Sequence, residues 1–236
     1  MIDFHSHVLP GVDDGSASVE ESMALLRVEA EQGITHVVAT PHFYPNYDDP
    51  AHFLRSREEA FEKLNAEMAA ESGLPTLILG AEVYYFRGIS ESEWLDALKI
   101  EGTDCVLIEM PAAPWPDSAL QELENIWVRQ HIRPIIAHLD RYLMPFQTRS
   151  LLRKLSQLPV LVQTNGDFFL NRETASLALK MLKADQIHLL GSDCHNMADR
   201  QPNLGAVQQR IRQRLGDAAL ESIRQYETQI LGVSPM

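Results

Sequence analysis

Residues 1–15 read MIDFHSHVLPGVDDG, and the triplet His5-Ser6-His7 within them decides how the rest of the chain is read. Ile2 and Phe4 lead into the triplet as a short apolar strand, and Asp13-Asp14-Gly15 follows in the next loop. Alternate side chains of an extended strand share a face, so His5 and His7 project together. Two imidazoles on one face, beside a loop bearing carboxylates, suit a borderline divalent cation such as zinc, manganese or iron. An isolated His-x-His is more often just the polar end of a strand. The metal reading prevails here because histidines and acids recur at one kind of place along the chain.

Short apolar, β-branched runs at 2–4, 36–39, 76–80, 105–108, 134–137, 160–164 and 187–190 alternate with segments of helical period. The helical segments are 19–32, 50–71, 91–98, 118–130, 146–155 and 173–183, and two more at 204–215 and 217–231 close the chain. Ser18-Val19-Glu20-Glu21 carries a capping-box pattern, and Gly33 stops that helix. Strand followed by helix, repeated without a linker or composition break, predicts parallel strands in one α/β domain spanning 1–236. In a parallel barrel the carboxyl ends of the strands gather at one face, where active sites are built. His5 and His7 end the first run, and His42, Glu82, Glu109 and His138 follow the next four. Asp193-Cys194-His195 follows the last. His36, His52, His131 and His188 fall at strand starts or on helices and are read as structural or solvent-exposed.

Composition narrows the function. The net charge of −13 disfavours nonspecific binding to nucleic acid or anionic lipid. No apolar run approaches the roughly 20 residues that a membrane span requires, so stable membrane insertion is not expected. The chain opens on Met-Ile-Asp-Phe-His with no basic-then-apolar leader, which predicts a cytoplasmic protein. Cys105 and Cys194 are then reduced thiols rather than a disulfide.

The opening segment resembles that of the PHP superfamily, named for polymerases and histidinol phosphatases. It is closer still to the bacterial tyrosine-protein phosphatases that accompany capsule and exopolysaccharide synthesis. Ala39-Thr40-Pro41-His42, Gly80-Ala81-Glu82, Leu107-Ile108-Glu109, Ala137-His138-Leu139-Asp140-Arg141, Gln163-Thr164-Asn165 and Ser192-Asp193-Cys194-His195-Asn196 continue the likeness to about Arg200. The resemblance implies a distorted, TIM-like (β/α)7 barrel of the PHP fold. It also implies three divalent cations, manganese foremost, with iron, zinc or magnesium as alternatives. Carried over by motif, the ligands are His5, His7, Asp14, His42, Glu82, Glu109, His138, Asp193 and His195, with Glu82 as the bridging carboxylate. Arg141 and Arg200 match the two arginines kept near the phosphate, and Asp193, His195 or a metal-bound water are the open alternatives to protonate the leaving group. Phe43 stands where many relatives carry a second His or a basic residue, and Asp140 stands where Glu is common. The Asn-Pro pair frequent near relatives' C-termini is absent around Gln225-Tyr226.

Metal-activated hydroxide attacking a phosphomonoester follows from such a centre, with the arginine forks holding the phosphate. The implied substrate is a phosphotyrosine protein, namely a tyrosine autokinase controlling polysaccharide synthesis. A small-molecule PHP phosphatase acting on histidinol phosphate or a nucleotide is the rival enzyme, and a non-catalytic metal-binding module the rival of another class. Cys194 and Arg200 also have the Cys-x5-Arg spacing of thiol-dependent tyrosine phosphatases. The flanking Asp193 and Asp199 oppose a thiolate there, so Cys194 is read as a filler behind the ligands. The rim aromatics Phe43, Tyr44, Tyr47, Tyr84, Tyr85 and Trp115 are read mostly as loop packing, with Phe43, Tyr47 or Trp115 as the alternatives for stacking on a phosphotyrosine ring.

Overall fold

The computed structural model describes residues 1–143 and 148–232. Pro41, without an N–H, interrupts what would be one strand and leaves β2 (His36–Ala39) and β3 (His42–Phe43). Gly80-Ala81 divides the neighbouring strand in the same way, into β4 (Thr76–Leu79) and β5 (Glu82–Tyr84). Pairing stays in register across both interruptions, since His36 faces Thr76 and His42 faces Glu82. The expected strands are therefore all present, and β3 and β5 continue two of them beyond their expected ends. β1 (Ile2–Ser6) pairs with β2, and β5 continues to β6 (Cys105–Glu109), β7 (Arg133–Ile136), β8 (Leu161–Asn165) and β9 (Leu189–Gly191). Every one of these pairings is parallel.

The sheet curls back on itself. Just beyond β9, Cys194 bridges to Ser6, the Asp193 N–H donates to the His5 carbonyl at 2.8 Å, and the His7 N–H donates to the Cys194 carbonyl at 2.9 Å. The result is the parallel α/β barrel that the sequence predicts, in a curled, half-barrel form. Ile2, Phe4, Val38, Leu107, Ile135, Leu161 and Leu189 fill its interior. Their neighbours in sequence Val37, Val106, Ile108, Ile136, Val162 and Leu190 pack outward into the helix-facing core. A register irregularity between Asp3 and Ser6 shifts the alternation in β1. Phe4 thus seals the interior while His5, the next residue, turns to the inward-facing Gln163.

The helices are α1 (Val19–Glu31), α2 (Pro50–Met68), α3 (Asp117–Gln130), α4 (Thr148–Leu155), α5 (Gly166–Leu170), α6 (Ala175–Lys183), α7 (Leu204–Leu215) and α8 (Asp217–Leu231). Ser18 caps α1 by accepting from the Glu21 N–H, and Gly33 lies in the left-handed region after its end. Two expectations change. The segment 91–98 is not a helix but two 3-10 turns, Ile89–Glu91 and Leu95–Leu98. Ser92 between them is extended and its hydroxyl accepts the Trp94 N–H, which offers the backbone an alternative to helical pairing. The short helix α5 was not anticipated. Residues 146 and 147 of the expected helix 146–155 lie outside the described residues. Among the other histidines, His52 is exposed, His36 is half-buried, His131 takes the left-handed cap of α3, and His188 accepts the Val162 N–H.

Behind β1, Asp3 accepts from the N–H groups of His5 and Ser192 and from the Ser192 hydroxyl. Glu29 of α1 is fully buried against it, with no hydrogen-bond donor to either oxygen. Burial, followed by the Asp3 charge, holds the Glu29 carboxyl well above its ordinary pKa, so its neutral form shares a proton with Asp3. Between the ordinary and the folded value, the native state holds a proton that the unfolded chain has lost, so stability falls as pH rises through that window. Glu29→Gln removes this loss. Its melting temperature relative to the parent should climb as the pH is raised from about 5 to about 8. A difference that stays constant with pH would show that the pair does not share a proton.

Candidate metal centre

The interrupted strands deliver their side chains to one spot at the carboxyl rim. Glu82, fully buried at the start of β5, turns Oε1 toward His138 Nε2 at 2.7 Å. Its Oε2 faces His5 Nε2 at 3.1 Å, His42 Nδ1 at 3.0 Å and His7 Nε2 at 3.4 Å. Asp193 Oδ1 lies 3.4 Å from His7 Nε2 and 3.6 Å from His5 Nε2. Asp14 Oδ1 is 3.5 Å from both His42 Nε2 and His195 Nε2. Glu109 Oε1 stands 3.7 Å from His138 Nε2. The structure thus brings all nine residues expected as ligands together. Three overlapping groups have ligand atoms within 4.8 Å of one another: His7, Asp14, His42 and His195; His5, His7 and Asp193; and His42, Glu82 and Glu109.

Cations fit this arrangement better than hydrogen bonds do. His7 Nδ1 pairs with Asp13 at 2.6 Å and His5 Nδ1 faces Gln163 at 3.4 Å, yet their two Nε2 atoms stand 3.1 Å apart. With Nδ1 protonated on both rings, two lone pairs face each other, a geometry that calls for a positive charge between them. His42 Nδ1, His138 Nδ1 and His195 Nε2 are buried without a hydrogen bond. Protons stand in when no cation is bound. Burial would lower the His7 pKa, but Asp13, Asp193 and Glu82 outweigh it and hold it well above the usual value. Burial would likewise raise Glu82 and Asp193, but the imidazolium charge of His5, with other neighbours, holds both well below theirs. Binding a cation displaces these protons, and the mixed nitrogen and oxygen donors suit manganese, iron or zinc.

A surrounding layer fixes the rings, and the sequence reading assigned none of it. Asp13, next to the predicted ligand Asp14, accepts from His7 Nδ1 and from the backbone N–H groups of His42 and Gly15. Those contacts overcome burial and bring its carboxyl down to about 2. A Cβ on Gly15 would lie 2.3 Å from the His7 carbonyl oxygen, so only glycine lets the loop close there. Gln163 accepts from the His138 N–H at 2.5 Å and donates to Asn165, which donates in turn to Asp193 Oδ2. The available signal was Gln163 and Asn165 themselves, polar residues at alternate, inward-facing positions of an otherwise apolar strand. His138 and Asp193 both have left-handed backbone, at φ 31° and 54°. Such strain is retained where the surroundings over-determine it.

The arginines meet Asp193 from the other side. Arg141 and Arg200 both donate to its Oδ2, the latter at 2.7 Å, while their side chains remain 42% and 37% exposed. Asn196 caps the loop that carries Arg200, accepting the N–H groups of Ala198 and Asp199. A cavity of about 560 Å³ opens over both arginines, Asp193 and Asn165. Cys194 is fully buried on the opposite side, its Sγ within 4.8 Å of the carboxylates of Asp3 and Glu29. Burial, with the neighbouring Glu29 and Asp3 carboxyls, raises its thiol well above the usual range. It cannot act as a thiolate nucleophile, and the Cys-x5-Arg spacing is incidental.

Curled parallel sheet and rim cluster together define an α/β barrel of the kind that holds divalent cations at its carboxyl face. The family model for capsular polysaccharide synthesis proteins CpsB/CapC matches residues 1–231, and the chain belongs to that family. It is 30% identical over 209 residues to the tyrosine-protein phosphatase YwqE of Bacillus subtilis, covering 85% of this chain and 79% of that one. It is 30% identical over 217 residues to the tyrosine-protein phosphatase CpsB of Streptococcus pneumoniae, covering 86% of each. The fold superposes with TM-score 0.85 and 23% identity on a chain from the crystal structures of YwqE and CpsB, metal-dependent tyrosine phosphatases, covering 100% of this chain and 96% of that one.

Asp13→Asn tests the surrounding layer. The amide keeps the shape but not the charge that fixes the His7 tautomer. Metal affinity measured by titration should fall about 10- to 100-fold with the circular dichroism spectrum unchanged. Unaltered affinity would reduce Asp13 to a loop-forming residue.

Proposed function

We propose that the chain is a metal-dependent protein-tyrosine phosphatase. The observation that carries this reading is one buried carboxylate, Glu82, with each oxygen turned to different imidazoles, beside two half-exposed arginines. Glu82 would hold cations in common with the neighbouring ligands, and His5, His7, Asp14, His42, Glu109, His138, Asp193 and His195 would supply the remaining donors to a centre of three. Bound divalent cations supply a nucleophile at neutral pH and neutralise charge on the phosphoryl oxygens. Manganese is the metal we assign first.

The chain's own residues do the positioning. Arg141 and Arg200 present forked donors to the phosphate, and their shared hold on Asp193 keeps both guanidinium groups at the cavity floor. Asp193 Oδ2 accepts from both arginines and from Asn165, and the charge of His5, then His7 and Arg141, outweighs burial and keeps its carboxyl ionised, so it is a poor proton donor. His195 donates Nδ1–H to the Asp193 carbonyl, and burial with the nearby His7 charge lowers its pKa to about 4. In this reading both serve as ligands, and neither is assigned as the acid. A tyrosinate, with its pKa of about 10, leaves with less protonation than an alkoxide needs.

The physiological substrate we assign is a phosphotyrosine protein of polysaccharide synthesis, the tyrosine autokinase controlling export, met in the cytoplasm. The whole of 1–236 acts as one catalytic unit.

Chelation should abolish hydrolysis of a phosphotyrosine peptide and added manganese should restore it, while Cys194→Ser retains most of the rate. A Cys194→Ser protein that is inactive although metal-loaded would refute the metal mechanism. Arg200→Ala should lower kcat/KM about 100-fold at unchanged metal content, and Arg200→Lys should lie between it and the parent. Hydrolysis of histidinol phosphate in preference to the peptide would move the assignment to the small-molecule phosphatases.

A further inference from the structure

Beside the anion cavity lies a second, smaller one of about 260 Å³, and Arg141 lines both. Its other walls are Trp115, from the loop after β6, Tyr142, from the turn after β7, Leu120 of α3 and Leu151 of α4. The Trp115 and Tyr142 rings meet edge-on at 5.0 Å, and the far side of Tyr142 lies 5.6 Å from the candidate ligand His138. Tyr142 is buried and accepts the Met110 N–H, and Trp115 donates Nε1–H to the Pro111 carbonyl, so both rings are held in place. The walls are thus mostly apolar and pre-formed, with Arg141 at the boundary toward the metal centre and Lys154, paired with Asp117, on the α4 side.

Of the three aromatic residues that the sequence offers as candidates to stack on a substrate ring, Trp115 lines this cavity. Phe43 is buried against Phe53 in the core, and Tyr47 is 90% exposed. Resting on the phosphatase reading, we propose that this cavity receives the aromatic ring of the phosphoaryl substrate while Arg141 and Arg200 hold its phosphate. The ring of phosphotyrosine is joined to its phosphate through a single oxygen, so the two subsites must be adjacent, and here Arg141 lines both. Trp115 and Tyr142 face the ring, and Arg141 sits at its phosphate-bearing edge, where its guanidinium pairs with the phosphate. An alkyl phosphate would leave the cavity unfilled. Selection for tyrosine over serine phosphate is then made by burial of the ring, before any bond is broken.

The test uses two non-hydrolysable dianions, benzylphosphonate and methylphosphonate, titrated calorimetrically into the manganese-loaded protein. The parent should bind the benzyl compound about 10- to 50-fold more tightly. Leu151→Trp, which fills the cavity from α4, should bring that ratio close to one while leaving methylphosphonate binding unchanged. Trp115→Ala should lower the ratio about tenfold and Trp115→Phe should keep most of it. A ratio near one in the parent, or one unchanged in both Leu151→Trp and Trp115→Ala, would overturn the assignment. Phosphotyrosine-peptide hydrolysis by the parent is read separately. Hydrolysis without a benzyl preference leaves the phosphatase standing and removes the ring site. A benzyl preference that both variants abolish, without hydrolysis, supports the ring site and removes the phosphatase.

Discussion

Two backbone hydrogen bonds join the end of β9 to the end of β1, the Asp193 N–H to the His5 carbonyl and the His7 N–H to the Cys194 carbonyl. They join strands from opposite ends of the chain, and that seam sets Asp193 and His195 against His5 and His7. Closing so long a loop is costly in chain entropy, and the close fit of the two strands offsets it. Gly191 shows how close the fit is, since a Cβ there would lie 2.5 Å from both His5 Cβ and Gln163 Nε2. Opening the seam would separate the His5–His7–Asp193 group and leave the arginines without their common anchor. Fold and site are therefore one cooperative unit at this edge.

From the seam inward, charge is managed by division of labour between carboxylate oxygens. Asp193 gives Oδ1 to the imidazoles and Oδ2 to two arginines and an amide. Glu82 divides its oxygens among histidines alone, while Asp13 gives its own to one ring and two backbone N–H groups. Each buried negative charge thus has partners of fixed geometry, the condition under which burying it is tolerable. The same arrangement explains why the acidic chain concentrates its histidines at one rim.

Much of this was legible in the sequence because strand ends are marked by composition and a parallel barrel gathers those ends at one face. His5, His42, Glu82, Glu109, His138 and Asp193 could all be placed from that rule without any knowledge of their contacts. What could not be read was anything decided at the scale of one residue. Asp13 and Asp14 are chemically identical neighbours, and only the turn at Gly15 sends one to orient His7 and the other to the cation side. The irregularity in β1 that lets Phe4 and His5 serve the same interior leaves no compositional mark. Gln163 could be quoted as part of a motif but not given a role, because an inward polar residue on an apolar strand looks like a strand end until its partner is known. The segment 91–98 has helical period but lacks the uninterrupted backbone that a helix requires.

Cys194 sits next to two candidate ligands, yet its sulfur faces away from them, into the protein beside two buried carboxyls. Peroxide reacts with thiolates that it can reach, and this thiol is neither ionised nor accessible. Phosphatases that use a cysteine nucleophile are silenced whenever the cell makes oxidant, and their signals lengthen accordingly. A fold that buries its one rim cysteine behind a metal centre uncouples dephosphorylation from that control. Oxidative stress would have to act on the bound metal, not on sulfur, to alter how long a phosphotyrosine mark survives.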